Sequence, residues 1–387
     1  MIILNRVYFD NAATSFPKAK NVGKRMCEYI EFVGTNVSRG TYEEAYEASE
    51  VIYETRELIC ELFNFDKTEN VIFTKNITES LNVLIRGIAK EDDHFIVSSM
   101  EHNAIKRPLN FVKEELNITF DECKCDKEGR LNALDIKKLI KPNTKAVIMT
   151  HASNICGTIL DLEKVGQICK ENNIFFIIDA AQTAGFLDLD INKLNANAIA
   201  FTGHKSLLGP NGIGGFIIDD ELNKITKPLI TGGTGSASDL EVQPDYMPDK
   251  FESGTPNIVG IYGLNESLKY ILNKGIKNIR EYELDLFEYF IKRLNELNGF
   301  RILGTKSREH SCPVISLDFN ELDNAVVSHT LASEYNISNR CGLHCAPSAH
   351  KTLDTYPQGS VRFSLGHKNT KEEIDYTIDA LENILSE

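Results

Sequence analysis

The sequence predicts an α/β protein with a mostly parallel central sheet flanked by helices, followed by a smaller α+β C-terminal domain. Two observations carry that prediction. Short β-rich runs alternate with helically spaced runs over most of the chain, the pattern of a layered α/β fold. From Gly299 onward the alternation gives way to shorter strands and helices that end in a last helix over 371–385.

The elements follow in order. Residues 71–74 are a short β-rich run, and 79–89 have helical spacing. A second pair follows, a strand at 94–98 and a helix at 104–116. Strand 145–150, helix 162–172 and strand 175–179 repeat the unit, and 198–201 and 213–218 read as two later strands. The loop 229–252 is rich in Gly, Ser, Asp and Pro, and a loop of that length is usually functional or interfacial. Residues 258–298 are mostly helical with a break at Gly275, and there the domain boundary is placed. The expected division is a large domain over 15–275 and a small one made of 1–14 and 276–387.

Composition limits what such a protein does. The chain has 387 residues, 42% of them hydrophobic and 25% charged, a globular mix that excludes disorder, collagen and a bare coiled coil. Its net charge of −14 lacks the basic footprint of a protein that tracks phosphates, so no nucleic-acid partner is expected. No run approaches the 18 or so apolar residues of a membrane span. The N-terminal apolar stretch is too short for a signal sequence. Nine scattered cysteines, an odd number, fit a reducing cytoplasm.

The chemistry is concentrated where strands stop. Phe201-Thr202-Gly203-His204-Lys205-Ser206 places a lysine in a loop at a strand's carboxyl end, where open α/β sheets bind ligands. A partly desolvated lysine there can form a Schiff base; read alone, it is equally a surface turn. Asp179 ends an apolar strand, where a carboxylate needs a cation, such as a protonated pyridine nitrogen, or serves as a helix cap. Gln182 stands three residues on. Asn76-Ile77-Thr78-Glu79-Ser80 opens a helix and forms either an anion cradle or a simple capping box. His102, in Glu101-His102-Asn103, is an imidazole that can stack on a flat ring, and Asn154 follows another strand. Arg340-Cys341-Gly342-Leu343-His344-Cys345 crowds two thiols, an imidazole and an arginine together. Paired CxxC knuckles are missing, so no metal site is expected. A thiolate favoured by cationic neighbours is the alternative.

In this order the motifs, from Tyr8-Phe9-Asp10-Asn11-Ala12-Ala13 to the C-terminal helix, resemble the fold-type I pyridoxal phosphate enzymes. The specific likeness is to the cysteine desulfurases of the class V aminotransferase superfamily. The R-x-G-x-x-C loop is similar to that of the second desulfurase group, which includes the selenocysteine lyases. The resemblance implies that Lys205 carries pyridoxal 5'-phosphate covalently, Asp179 pairs with its ring nitrogen, Gln182 meets its phenolate and His102 stacks on the ring. It implies a phosphate site of Ile77, Thr78, Thr202 and His204, with Asn154 also at the cofactor. Thr255, in Phe251-Glu252-Ser253-Gly254-Thr255-Pro256-Asn257, would reach the neighbouring subunit's phosphate, which implies a homodimer with shared sites. Arg362 would clamp the substrate carboxylate, with Ala13, Asn154 and Arg340 lining the pocket. Cys345 would accept sulfur from L-cysteine as a persulfide, release alanine and pass the sulfur to an acceptor protein. The alternatives are a selenocysteine lyase, a cysteine sulfinate desulfinase or a non-catalytic sulfur carrier.

Overall fold

A computed structural model describes residues 6–37, 40–236 and 238–386. Seven strands form the main sheet. From one edge they run Val71–Thr74, Gly214–Ile218, Ala198–Thr202, Phe175–Asp179, Thr144–Thr150, His94–Ser98 and Thr119–Cys123. All neighbours are parallel except Gly214–Ile218, which is antiparallel to both of its neighbours. The inner strands are continuous apolar runs because helices cover both faces. Ile178 and Phe201 face one buried cluster, whereas Ile177 and Ala200 face the other. Phe176 and Phe201 are fully buried, and truncating either to alanine costs about 3–5 kcal/mol.

Register brings the functional ends together. Thr150 pairs with Asp179, Asp179 with Ala200, and Thr202 with Gly214. Gly214 has to be glycine: a Cβ there would come within 2.8 Å of the Phe201 carbonyl oxygen and 3.0 Å of the Asn76 Cα. That close approach seats the N-terminus of helix Ile77–Ile88 beside the end of the Thr202 strand.

The second sheet has four antiparallel strands in the order Arg340–Gly342, Ser360–Ser364, Val314–Phe319 and Phe300–Leu303. Helices Ile276–Leu294 and Lys371–Ser386 pack on it around a separate core that includes Phe287, Phe290, Phe363 and Leu381. The start of the chain joins this sheet's side of the molecule. Val7–Tyr8 pairs with Ile337–Ser338, and Asp10 bridges to Ser364. Gly275, at φ 82°, breaks the helical stretch into Ile258–Lys274 and Ile276–Leu294. No described helix is long and apolar enough to cross a membrane.

Candidate active site

Lys205 stands in the turn after strand Ala198–Thr202. The Leu208 N–H donates to its carbonyl at 2.8 Å and the Gly209 N–H to that of Gly203 at 2.8 Å, so the turn is closed on itself. Burial pushes the Lys205 amine down to about 8; Asp179 and Cys345 act to raise it, and Arg362 and Arg340 to lower it.

Asp179 is 3% exposed and accepts a hydrogen bond from the Ala181 N–H at 2.9 Å. It closes a turn and caps no helix. Burial raises its pKa, and Lys205 is the cation that opposes the rise. Gln182 is also buried, and its Nε2 donates to the Ala12 carbonyl at 3.2 Å. Ala13 is half-buried in the same N-terminal segment and donates its N–H to the Asp10 carbonyl.

The capping box forms at the start of helix Ile77–Ile88. Asn76 accepts from the Glu79 N–H at 3.0 Å, and Glu79 reaches back to the Lys75 N–H at 2.6 Å. Ile77 is buried and Thr78 exposed. Beside this helix start, the buried Thr202 Oγ1 and His204 Nδ1 have no partner in the structure. Burial holds the His204 imidazole at about 4, hence neutral. Unpartnered buried groups are costly, and these two sit where a phosphate would satisfy them. A carboxylate short of a cation, a lysine of lowered basicity and this cradle together suit pyridoxal phosphate. Thr255 is exposed and lines a groove of about 440 Å³ with Lys75, Glu79 and Ile213.

His102 caps helix Asn103–Leu116 by accepting from the Ala104 N–H on Nδ1 at 3.0 Å. That bond leaves the ring hydrogen on Nε2. Burial, helped by Lys205, lowers its pKa to about 4. The adjacent Asn103 N–H donates to the Cys345 carbonyl at 2.8 Å, and Asn154 Nδ2 to the His344 carbonyl at 2.8 Å. His344 and Cys345 both adopt left-handed conformations, φ 47° and 58°. One backbone bond and one from the Asn154 side chain thus pin a strained turn, whose thiol is exposed.

Arg362 is 2% exposed. It donates to the Asn154 carbonyl at 2.9 Å and to Asp10 Oδ1 at 3.0 Å, and its Nε has no partner. Arg340, its cross-strand partner, forks onto the same Asp10 with Nε at 3.1 Å and Nη2 at 2.7 Å. Sequence reasoning gave Asp10 no role, and only its place in the Tyr8–Ala13 motif hinted at one.

One expectation about the thiol loop changes. His344 is no cation beside Cys345: burial and Arg362 drive its pKa to about 2, and its Nε2 faces the Ser360 carbonyl at 3.2 Å. Cys341 follows Arg340 on a strand, so its side chain takes the opposite face and packs on the small sheet's core. Among the described residues no cluster suits a metal ion.

The sequence profile of the family described as Aminotransferase class-V matches residues 7–377. Curated relatives include a protein named "Probable cysteine desulfurase" from Borreliella burgdorferi, 34% identical over 98% of this chain and 92% of that one. Another of the same name, from Pyrococcus abyssi, is 33% identical over 98% and 94%. Among solved structures, a cysteine desulfurase from Thermococcus onnurineus superposes with a TM-score of 0.92 at 32% identity, covering 98% of this chain and 95% of that one. The cysteine desulfurase CsdA from Escherichia coli gives 0.88 at 26% identity, with 98% and 95% covered.

Proposed function

From a chain that belongs to the class-V aminotransferase family, alongside its cysteine desulfurases, we propose a specific reading: a pyridoxal-phosphate-dependent L-cysteine desulfurase whose sulfur acceptor is Cys345. Enzymes of this family generally use pyridoxal phosphate. One observation carries the choice of reaction. The exposed Cys345 is tied through its carbonyl to the residue after His102, and it acts electrostatically on the Lys205 amine. Amino-group chemistry alone has no use for a thiol there.

The residues divide the work. Thr202, His204 and the helix start at Ile77 and Thr78 would hold the phosphate, Asp179 would pair with the ring nitrogen and Gln182 with the phenolate, and His102 would stack on the ring. Bound in this way, the cofactor supplies an electron sink next to the substrate α-carbon. Arg362 takes the substrate carboxylate in the two parallel bonds a guanidinium offers, oriented by Asp10, with Ala13, Arg340 and Asn154 around it. Lys205 anchors the cofactor, and its lowered basicity suits it to move the α-proton. The Cys345 thiolate attacks the substrate sulfur. A sulfur–sulfur bond forms, the carbon–sulfur bond breaks, and the carbon takes a proton to become alanine.

We assign residues 15–275 to the cofactor-binding domain, and 1–14 with 276–387 to the domain that presents the thiol. A two-fold dimer completes the site through Thr255, and the exposed Ile30, Phe32, Tyr42, Val242 and Tyr246 suit burial in it. A cytoplasmic location is consistent with nine free cysteines. The sulfur then leaves Cys345 for an acceptor protein.

The test is a side-by-side assay of L-cysteine, selenocysteine and cysteine sulfinate with alanine as the readout. Alanine and a protein persulfide from L-cysteine are expected. Alanine from selenocysteine or sulfinate alone would replace the desulfurase reading with a lyase or a desulfinase.

A further inference from the structure

The turn that carries Lys205 is gripped by a segment near the start of the chain. Ser15 donates its N–H to the His204 carbonyl at 2.9 Å, and Ala19 donates its N–H to the Leu208 carbonyl at 3.0 Å. The segment therefore holds the turn on both sides of the lysine. Leu208 is left-handed, φ 56°, a conformation that a leucine keeps only where its surroundings impose it.

Between these two bonds sits Lys18. Its ammonium donates to the His204 carbonyl at 3.0 Å, to Thr14 Oγ1 at 3.0 Å and to Ser15 Oγ at 3.2 Å. An ammonium has three N–H bonds, so each finds an oxygen. None of these oxygens is a carboxylate, and Lys18 forms no ion pair among the described residues. Both hydroxyls also lie within hydrogen-bond reach of the His204 carbonyl, at 3.1 and 3.2 Å. A surface lysine ordinarily keeps its charged head in water. Here the head is half-buried, and burial lowers its pKa to about 8. Its bonds converge on one backbone carbonyl and the hydroxyls beside it. That carbonyl belongs to the peptide bond leading into Lys205.

We propose that Lys18 is a positioning residue for Lys205: its ammonium locks the peptide between His204 and Lys205 to the N-terminal segment and so fixes where the lysine amine stands. The inference rests on the lysine role given above. Lys205 moves with that peptide, and a displacement of about 1 Å in a reacting group costs about a hundredfold in rate. The Ser15 and Ala19 N–H bonds remain when the ammonium is removed, so the expected loss is smaller. The carboxylate clamp has anchors of its own. Asn11 Nδ2 donates to the Ser364 carbonyl at 2.9 Å, and the Ala12 N–H to Ser364 Oγ at 2.8 Å. Substrate binding is therefore separable from the position of the amine.

Lys18→Met keeps the stem and removes the ammonium. In the holoenzyme, kcat should fall about tenfold while KM for L-cysteine stays within about twofold. Lys18→Arg, which returns a cation with several N–H groups, should restore part of kcat. A second readout needs neither cofactor nor turnover. In protein stripped of cofactor, amide hydrogen exchange is followed by mass spectrometry on the peptides spanning 203–209 and 175–179. Exchange in 203–209 should quicken about tenfold in the Met variant, and exchange in 175–179, on the sheet, should not change. An unchanged kcat would overturn the proposal, and so would exchange in 203–209 that matches wild type. A lower Tm with faster exchange in both peptides would make Lys18 a general stabiliser and overturn it too. If wild-type protein makes no alanine from cysteine, the desulfurase reading fails, and the exchange comparison still decides whether Lys18 holds the lysine turn.

Discussion

The floor of the site and the loop above it are built on opposite principles. The floor is made of strand ends: Asp179, Thr202 and the turn to Lys205 are fixed by sheet register and lie in apolar surroundings. The loop, from Arg340 to Cys345, lies at the edge of the small sheet. It ends in two left-handed residues and is held by the Asn103 backbone N–H and the Asn154 side-chain amide. Rigidity and desolvation tune charges on the floor. On the loop, exposure suits the sulfur-accepting role proposed for Cys345. The comparison teaches that the desolvated charges are placed by the sheet, and the exposed thiol by a turn.

The largest effect should come from the floor. Asp179→Asn should retain cofactor yet lose about a hundredfold in alanine production or more, because an amide cannot hold a ring nitrogen protonated. A loss of under about threefold, less than 1 kcal/mol of barrier, would remove Asp179 from that role.

Next comes the joint between the two regions. Asp10→Ala leaves the buried Arg362 without its counter-charge, and breaking such a pair costs about 3–5 kcal/mol. Thermal unfolding should shift down by several degrees and KM for cysteine should rise, with the cofactor absorbance intact. An unchanged KM would mean that Asp10 does not orient the arginine.

Protonation separates the regions without any mutation. Because the pKa values of His102 and His344 are lowered, to about 4 and about 2, both rings stay neutral above those values. Their NMR shifts should therefore be flat between about pH 5 and 8, where an ordinary histidine titrates. A titration of His344 near 6.5 would restore it as a cation beside the thiol.

The smallest effect belongs to Cys341. Since its side chain faces the small core, Cys341→Ser should change turnover by less than about twofold and cost about 1 kcal/mol of stability. A Cys341–Cys345 disulfide found by mass spectrometry after mild peroxide would show that the loop rearranges.

The strands of the main sheet were legible because their apolar runs are continuous and stop abruptly at a polar residue, as at Asp179 and Thr202. Helix Glu43–Phe63 was not identified, because it opens on a charged stretch in which only Ala45 and Ala48 are buried, too small to give a periodic signal. The edge strand Thr119–Cys123 escaped for the same reason: only Cys123 in it is buried. In the site, residues that carry a local motif could be proposed from the sequence. The bridge from Asp10 to Arg340 and Arg362 was not, since it joins positions more than three hundred residues apart. The neutral state of His344 depends on burial by distant elements, which no local pattern encodes.

The central claim is that the strand-end pocket activates cysteine while Cys345 receives its sulfur. The most direct measurement is alkylation and peptide mass spectrometry of the holoenzyme after incubation with L-cysteine, with Cys345→Ala run in parallel. The account predicts one extra sulfur on the peptide carrying Cys345, and neither persulfide nor appreciable alanine in the variant. Persulfide on another of the nine cysteines, or full conversion of cysteine to alanine by Cys345→Ala, would contradict it.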